Sequence, residues 1–459
     1  MELGFETIGN ATLVCHDRRP VLATDPWIEG APYFGSWAAS HEIPRQQREA
    51  IEAAEWVWFS HGHPDHLNAE SLAHFRGTKI LLPDHYGGRI FRDLESEGFD
   101  VHVAPDRQWM SLSDRVRILC VSDYNQDAVL LVDVGGVLVI NLNDASSRGW
   151  RRLVRKAVQP FAKRFLVALT GFGDACMVNY WDEHGRFIPP VAAQRLPVGP
   201  QIARLSQEYG ARYFIPFSSM HKYQRSDSIE MNSFITRLED YAVGFESEQT
   251  ELLPAYVRYD VLQDRIETID PPETPDLVVP CEKFGDDWSE SLDPGDVEKV
   301  RRYFLSFQHL EDYLDHVTLK VGGREHVIEF AKRGFGRGLV FEVPRGSLMT
   351  AVEYQVFDDL LIGNFMRTTL LGDWPTTQIY PHFEPYVTKY GDNAGAHSRE
   401  ELREYFRHYR KRAPVEYLMH RFAERSGETF RKLVPEDSGL YRLVKRSYWM
   451  LRERGGRSA

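Results

Sequence analysis

Glu55-Trp56-Val57-Trp58-Phe59-Ser60-His61-Gly62-His63-Pro64-Asp65-His66 runs from a short apolar strand straight into a loop holding three histidines and an aspartate. Histidines two residues apart on extended backbone project to the same side, so His61 and His63 can grip one cation. Asp65 and His66 follow at once and can face a second cation beside the first. So many ligating groups in one loop are costly to keep without a metal. The strand Trp56–Ser60 can hold the loop against a core. Asn68 can cap the helix after it, with Glu70 in the first turn near the positive end of the helix dipole.

Outward from this loop, the first half alternates short apolar strands with helical stretches. Ala11–Cys15 and Val21–Asp25 read as paired strands, Lys79–Pro83 as another, and Val116–Val121 as one more. Ala128–Asp133 and Val137–Asn141, joined through Gly135-Gly136, read as a hairpin. Arg212–Pro216 is a strand that ends just before Ser218-Ser219-Met220-His221. Composition shifts between residues 245 and 300, where Asp270-Pro271-Pro272-Glu273-Thr274-Pro275 is turn-rich. Beyond it, His316–Val321 and Glu325–Phe330 form a second hairpin over Gly322-Gly323. The spacing predicts helices over Val352–Leu361, Arg399–Arg425 and Leu440–Arg454. The expected division is 1–245 for the metal domain, 246–398 for an α+β accessory region and 399–459 for a basic helical segment. The stretch from Asp315 to Leu370 loosely resembles a sterol-carrier-type fold, and reads more simply as an amphipathic helix on a sheet.

A chain of 459 residues with net charge −12 is expected to be globular, of more than one domain and no general nucleic-acid binder. From Arg399 onward there are 16 Lys and Arg against 9 Asp and Glu, which leaves +7 there and −19 in the remainder. Arg407, Arg410, Lys411 and Arg412 in that tail read as a solvated helix face. No apolar run approaches the ~20 residues of a membrane span. Cys15, Cys120, Cys176 and Cys281 form no Cys-x-x-Cys pair, and the first residues lack signal-peptide character, so a cytoplasmic location is expected. His85, His102 and His382 stand alone without ligand spacing.

The pattern His-x-His-x-Asp-His after a buried strand resembles the metallo-β-lactamase superfamily. The resemblance implies an α/β fold, an αββα sandwich, with the further α+β and helical region appended. It also implies roles for further positions. Asp25 matches the aspartate that braces the metal loop, Asp144 the carboxylate that bridges two metals, and His221 the last histidine ligand. Ser60 to Leu67, Gln126-Asp127-Ala128 through Asn143-Asp144-Ala145, and Pro216-Phe217-Ser218 are similar to the catalytic half of the CMP-N-acetylneuraminate hydroxylase family. That family also carries a Rieske iron–sulfur domain, whose Cys-x-His and Cys-x-x-His pairs are not in this sequence.

One position departs from the superfamily. No histidine lies between Leu119 and Leu142 to serve as third imidazole of the first metal. Asp123 and Asp127 are available. Asp123, ending its strand, is the expected ligand, and Asp127 the expected support for loop backbone or a ligand histidine. Two chemistries then compete. Zn²⁺ or Mn²⁺ could lower the pKa of a water to about 7 for hydrolysis of an ester, lactone or phosphodiester. Alternatively, His61, His63 and a carboxylate on iron suit oxygen activation. The favoured expectation is a di-iron oxygenase, with Asp65 and Asp144 central to the reaction, acting on a polar, nucleotide- or sugar-linked small molecule. It would need an external electron donor.

Overall fold

The computed structural model describes residues 1–418 and 421, apart from 146–149, 172–176, 332–333, 373, 375–378, 380–382 and 392–393. The predicted helix Leu440–Arg454, the end of Arg399–Arg425, Cys176 and His382 lie outside the described residues.

Two mixed sheets form the first half. In one, the strand order is Arg265–Thr268, Val257–Asp260, Leu3–Ile8, Thr12–Asp17, Arg19–Thr24, Trp56–Trp58, Lys79–Leu82 and Asp100–Val103. In the other it is Glu251–Leu252, Tyr213–Pro216, Lys163–Ala168, Val137–Asn143, Ala128–Val134, Val116–Ser122 and Trp109–Ser111. Both sheets take strands from beyond residue 245, so the sandwich runs on to Thr268.

Side-chain alternation explains how these strands are buried on both faces. Leu130 and Val132 point inward with Ile118, Phe165 and Ile215, and meet Phe5, Leu13, Trp58 and Leu81 of the facing sheet. Leu131, Ile140, Leu166 and Phe214 point outward, onto Val154 and Val158 of helix Arg151–Val158 and Ile202 of helix Gly199–Tyr209. On the other outer face, Val14, Val57 and Ile80 meet Ile51 and Leu94 from helices Arg45–Glu52 and Arg89–Ser96. The four layers are therefore helix, sheet, sheet, helix.

A third sheet runs Phe187–Ile188, Tyr180–Asp182, Arg367–Gly372, Arg337–Glu342, His316–Val321 and Arg324–Glu329. Its first two strands come from the sandwich half of the sequence, and Tyr180 pairs with Thr368. Phe304, Phe341, Phe357 and Phe383 build its core with the helices Pro294–Ser306 and Arg345–Tyr354.

The single helix expected over Val352–Leu361 is two. Arg345–Tyr354 ends at Gln355, whose φ of 58° is left-handed, and Phe357–Gly363 starts anew. The helix that begins at Arg399 ends at Arg412, just before Pro414, which cannot donate to a continuing helix. Leu402, Tyr405 and Tyr409 are its inward face, Tyr405 and Tyr409 join the outer layer of the second sheet, and Arg407, Arg410 and Lys411 face water. Arg412 pairs instead with Asp84 at 2.8 Å.

Candidate metal centre

Strand Trp56–Trp58 delivers the histidine loop, and the loops after three other strands meet it. Asp25 follows Arg19–Thr24, Asp144 follows Val137–Asn143, and Ser218 to His221 follow Tyr213–Pro216. The chain turns sharply to do this. Asp25, Asn143, Ser218 and Ser219 are non-glycine residues with φ of 40°, 48°, 71° and 57°. Each such residue costs of order 1 kcal/mol or more, which the surrounding bonds must overcome.

Asp25 is the hub of those bonds. It is fully buried and accepts from the Ser60 backbone N–H at 2.7 Å, the Ser60 hydroxyl at 3.0 Å and the Asn143 amide at 2.8 Å. Its other role is toward His66, whose Nδ1 lies 3.4 Å away. Asn10 ties two loops together. Its Nδ2 donates to Asp65 Oδ2 at 2.8 Å, and its Oδ1 accepts from the Met220 backbone at 2.7 Å. The Tyr33 hydroxyl donates to Asp65 Oδ1 at 2.5 Å, and the Ser218 hydroxyl donates to Asp144 Oδ1 at 2.5 Å. Trp37 stacks flat on the His221 imidazole, with centroids 3.4 Å apart and planes 3° from parallel.

The candidate ligand atoms lie close together. Nε2 of His61 and Nδ1 of His63 are 2.9 Å apart. Nε2 of His66 lies 3.3 Å from Asp65 Oδ2 and 3.5 Å from Asp144 Oδ2. Among the described residues, His61, His66 and Asp144 form one group able to share an ion, and His63, Asp358 and Asp359 another.

The electrostatics fit a cation. Burial opposes charge on His66, but the facing carboxylates of Asp65, Asp144 and Asp25 outweigh it and raise its pKa well above the ordinary value. Burial also opposes charge on Asp65, and is outweighed by the His66 charge and the bond from Tyr33, which lower its pKa. Burial raises the Asp25 carboxyl despite His66 and Ser60. The facing carboxylates favour positive charge at this point, either as a proton on His66 or as a cation in its place. Burial depresses His61 well below its ordinary value and His221 to about 4, so both imidazoles are neutral and able to ligate. Both ring nitrogens of His66 and Nε2 of His221 are buried without a hydrogen-bond partner, which suits ligands of an ion.

Asp127 stands beside His61, where the expected support for a ligand histidine would stand, and Asp123 lies in the loop just before it. Asp123 Oδ1 accepts from the backbone N–H groups of Asn125 at 2.8 Å and Asp127 at 3.1 Å, so the carboxylate shapes its own loop. Asp127 Oδ1 lies 3.7 Å from Nδ1 of His61, behind the nitrogen that faces His63. Sequence reasoning missed Asn10, Tyr33, Trp37 and Ser218, which carry no motif. It also passed over Asp358 and Asp359, whose signal was present as two adjacent acidic residues inside an otherwise apolar run.

Two facing sheets flanked by helices, with His-x-His-x-Asp-His after one strand and an aspartate and a histidine after strands of the other sheet, decide the family of folds. This is the metallo-β-lactamase fold. No model of a known protein family matches the chain. The chain is similar to cytidine monophosphate-N-acetylneuraminic acid hydroxylases. It is 28% identical to that of Danio rerio over 131 residues, 27% of this chain and 22% of that protein. It is 26% identical to that of Cricetulus griseus over 242 residues, 48% of this chain and 42% of that protein. The chain thus spans less than half the length of these relatives. Among solved structures, the CmlA beta-hydroxylase superposes with a TM-score of 0.38 at 15% identity, covering 59% of this chain and 54% of that one. A metallo hydrolase from Ignicoccus hospitalis and an isothiocyanate hydrolase from Delia radicum gut bacteria each superpose with a TM-score of 0.34.

Proposed function

We propose that the protein is a two-metal enzyme in which His61 and His63 hold one ion, Asp65, His66 and His221 hold the other, and Asp144 lies between them. The observation that carries this reading is the convergence of the buried imidazole nitrogens of His61 and His66 with the carboxylates of Asp65 and Asp144. When bound, the ions would supply oxygen activation if iron, or a water acidic enough to attack at neutral pH if zinc or manganese. Asp25 fixes the orientation of His66, Tyr33 and Asn10 that of Asp65, Ser218 that of Asp144, and Trp37 that of His221. Positioning of this kind keeps ligand atoms aimed at the ion.

The likeness to hydroxylases supports an O2-dependent hydroxylation of a polar, sugar- or nucleotide-linked small molecule, with electrons from an external donor. A hydrolase reading is favoured by one specific observation. One oxygen of Asp123 is engaged with its own loop, which favours a first metal held mainly by imidazoles. Metal analysis of protein purified without oxygen, followed by paired assays, separates the two. Oxygen uptake that requires both an added reductant and substrate supports hydroxylation. Steady cleavage of a phosphodiester or lactone without oxygen or reductant establishes hydrolysis. Absence of bound metal after reconstitution with iron, zinc and manganese overturns both.

A further inference from the structure

Asp358 belongs to the helix Phe357–Gly363 of the accessory region, yet its Oδ2 lies 3.3 Å from Nε2 of His63. The opposite ring nitrogen of His63, Nδ1, faces Nε2 of His61 at 2.9 Å. An imidazole that gives its Nδ1 lone pair to a cation carries its proton on Nε2. That proton points at the Asp358 carboxylate. The arrangement repeats one already described, since Asp25 faces Nδ1 of His66 while Nε2 of that ring faces Asp65 and Asp144.

We propose that Asp358 is a positioning residue of the metal centre. Its carboxylate accepts the Nε2–H of His63, fixes the tautomer and turns Nδ1 toward the ion shared with His61. The inference rests on the two-metal reading above.

The helix is held so that the carboxylate stays in place. All seven of its residues are buried. The Ser36 hydroxyl donates to the carbonyl of Gly363, and the Tyr223 hydroxyl to that of Ile362 at 3.4 Å. A Cβ on Gly363 would meet the Tyr33 carbonyl oxygen at 3.2 Å, so the helix end lies tight against the turn that carries Tyr33. Just beyond, the amide of Asn364 donates to the Tyr223 hydroxyl at 2.8 Å, and the Arg225 guanidinium sits 3.7 Å over the Phe365 ring. The accessory region therefore reaches the centre twice: through the Tyr33 turn to Asp65, and through Asp358 to His63. Asp359 is buried beside Asp358, and His63 with both carboxylates could alternatively chelate an ion of its own. Counting ions separates that case from positioning.

The test is titration of the metal-free full-length chain with Co²⁺, following the visible spectrum and ion stoichiometry. The wild type is expected to take two ions. Asp358→Ala should weaken one of the two binding steps roughly 10–100-fold while both still fill at high Co²⁺. The spectrum of the weakened ion should change, and that of the other should not. Asp358→Asn, which keeps the shape and an acceptor oxygen, should fall between Ala and wild type and guards against a variant that does not fold. Wild-type affinity in both variants overturns the proposal. So does a third ion in the wild type, or permanent loss of one ion in Asp358→Ala, because either makes the carboxylate a ligand. A wild type that takes no ion overturns the two-metal reading itself.

Discussion

Replacing Arg225 with methionine removes a fully buried guanidinium that joins the sandwich to the accessory region. The side chain donates to Asp286 Oδ2 at 2.6 Å, to the carbonyl of Phe34 at 2.8 Å and to Asp227 at 2.8 and 3.2 Å. Asp286 has no exposure and would keep only its bonds from Ser347, at 2.8 Å and 2.5 Å. Removing one partner of a buried ion pair costs about 3–5 kcal/mol, because the other charge is left uncompensated. The stranded Phe34 carbonyl adds about 1 kcal/mol, so a loss of about 4–6 kcal/mol is expected. Denaturant unfolding followed by tryptophan fluorescence reads it directly, since Trp288 donates to Asp227 at 2.9 Å and reports locally. The double variant Arg225→Met with Asp286→Leu removes both charges and should recover at least half of the loss. A single variant within about 1 kcal/mol of wild type, or a double variant no more stable than the single, would refute the account of this pair as an uncompensated-charge problem.

Other expectations follow from single residues. His63→Ala and Asp144→Ala should each lose metal and activity while keeping the wild-type circular dichroism, because both side chains stand in loops at strand ends; full metal retention in both would contradict the assignment. His85 is buried and depressed to about 4 from an ordinary 6.5. The folded chain therefore binds the proton less readily than the unfolded one, and stability present above pH 6.5 is lost as pH falls toward 4, by on the order of 3 kcal/mol for this group. His85→Phe should flatten that part of the stability–pH curve. Asp123→Asn can accept the same two backbone N–H bonds and should leave metal binding unchanged, whereas Asp123→Ala should cost about 1–2 kcal/mol of stability; a shift of metal preference toward zinc in Asp123→His would instead support its expected role as a ligand.

The sandwich could be read from sequence because each of its central strands is a short β-branched or apolar run bounded by turn residues, as in Val116–Ser122 and Ala128–Val134. The Asn68 cap was equally legible, since its side chain accepts from Glu70 and Ser71 as such caps do. The break at Gln355 was not, because nothing in that residue favours a left-handed backbone, and only packing against the rest of the chain imposes it. Helix Phe357–Gly363 is buried on all sides, so no amphipathic period marks its face, and its two carboxylates read as solvent groups. Local pattern favoured Asp123 over Asp127 as a ligand because Asp123 stands at the end of its strand. It could not show that Asp123 Oδ1 turns back onto the N–H groups of Asn125 and Asp127, because that depends on the backbone of the loop.

The strand Tyr180–Asp182 also bears on how the chain is made. Its partner in the accessory sheet, Arg367–Gly372, is synthesised about 190 residues later. At ~5–20 residues per second, the hairpin Tyr180–Ile188 emerges from the ribosome roughly 10–40 s before the edge it must join. The opening strand Leu3–Ile8 waits longer still for Val257–Asp260. For that interval the nascent chain presents unpaired strand edges rich in aromatic residues, including Tyr180, Trp181 and Phe187. Slower translation between residues 190 and 370 would prolong that exposure. Yield of folded protein should therefore depend on elongation rate and on holding chaperones more than on the final stability of either half.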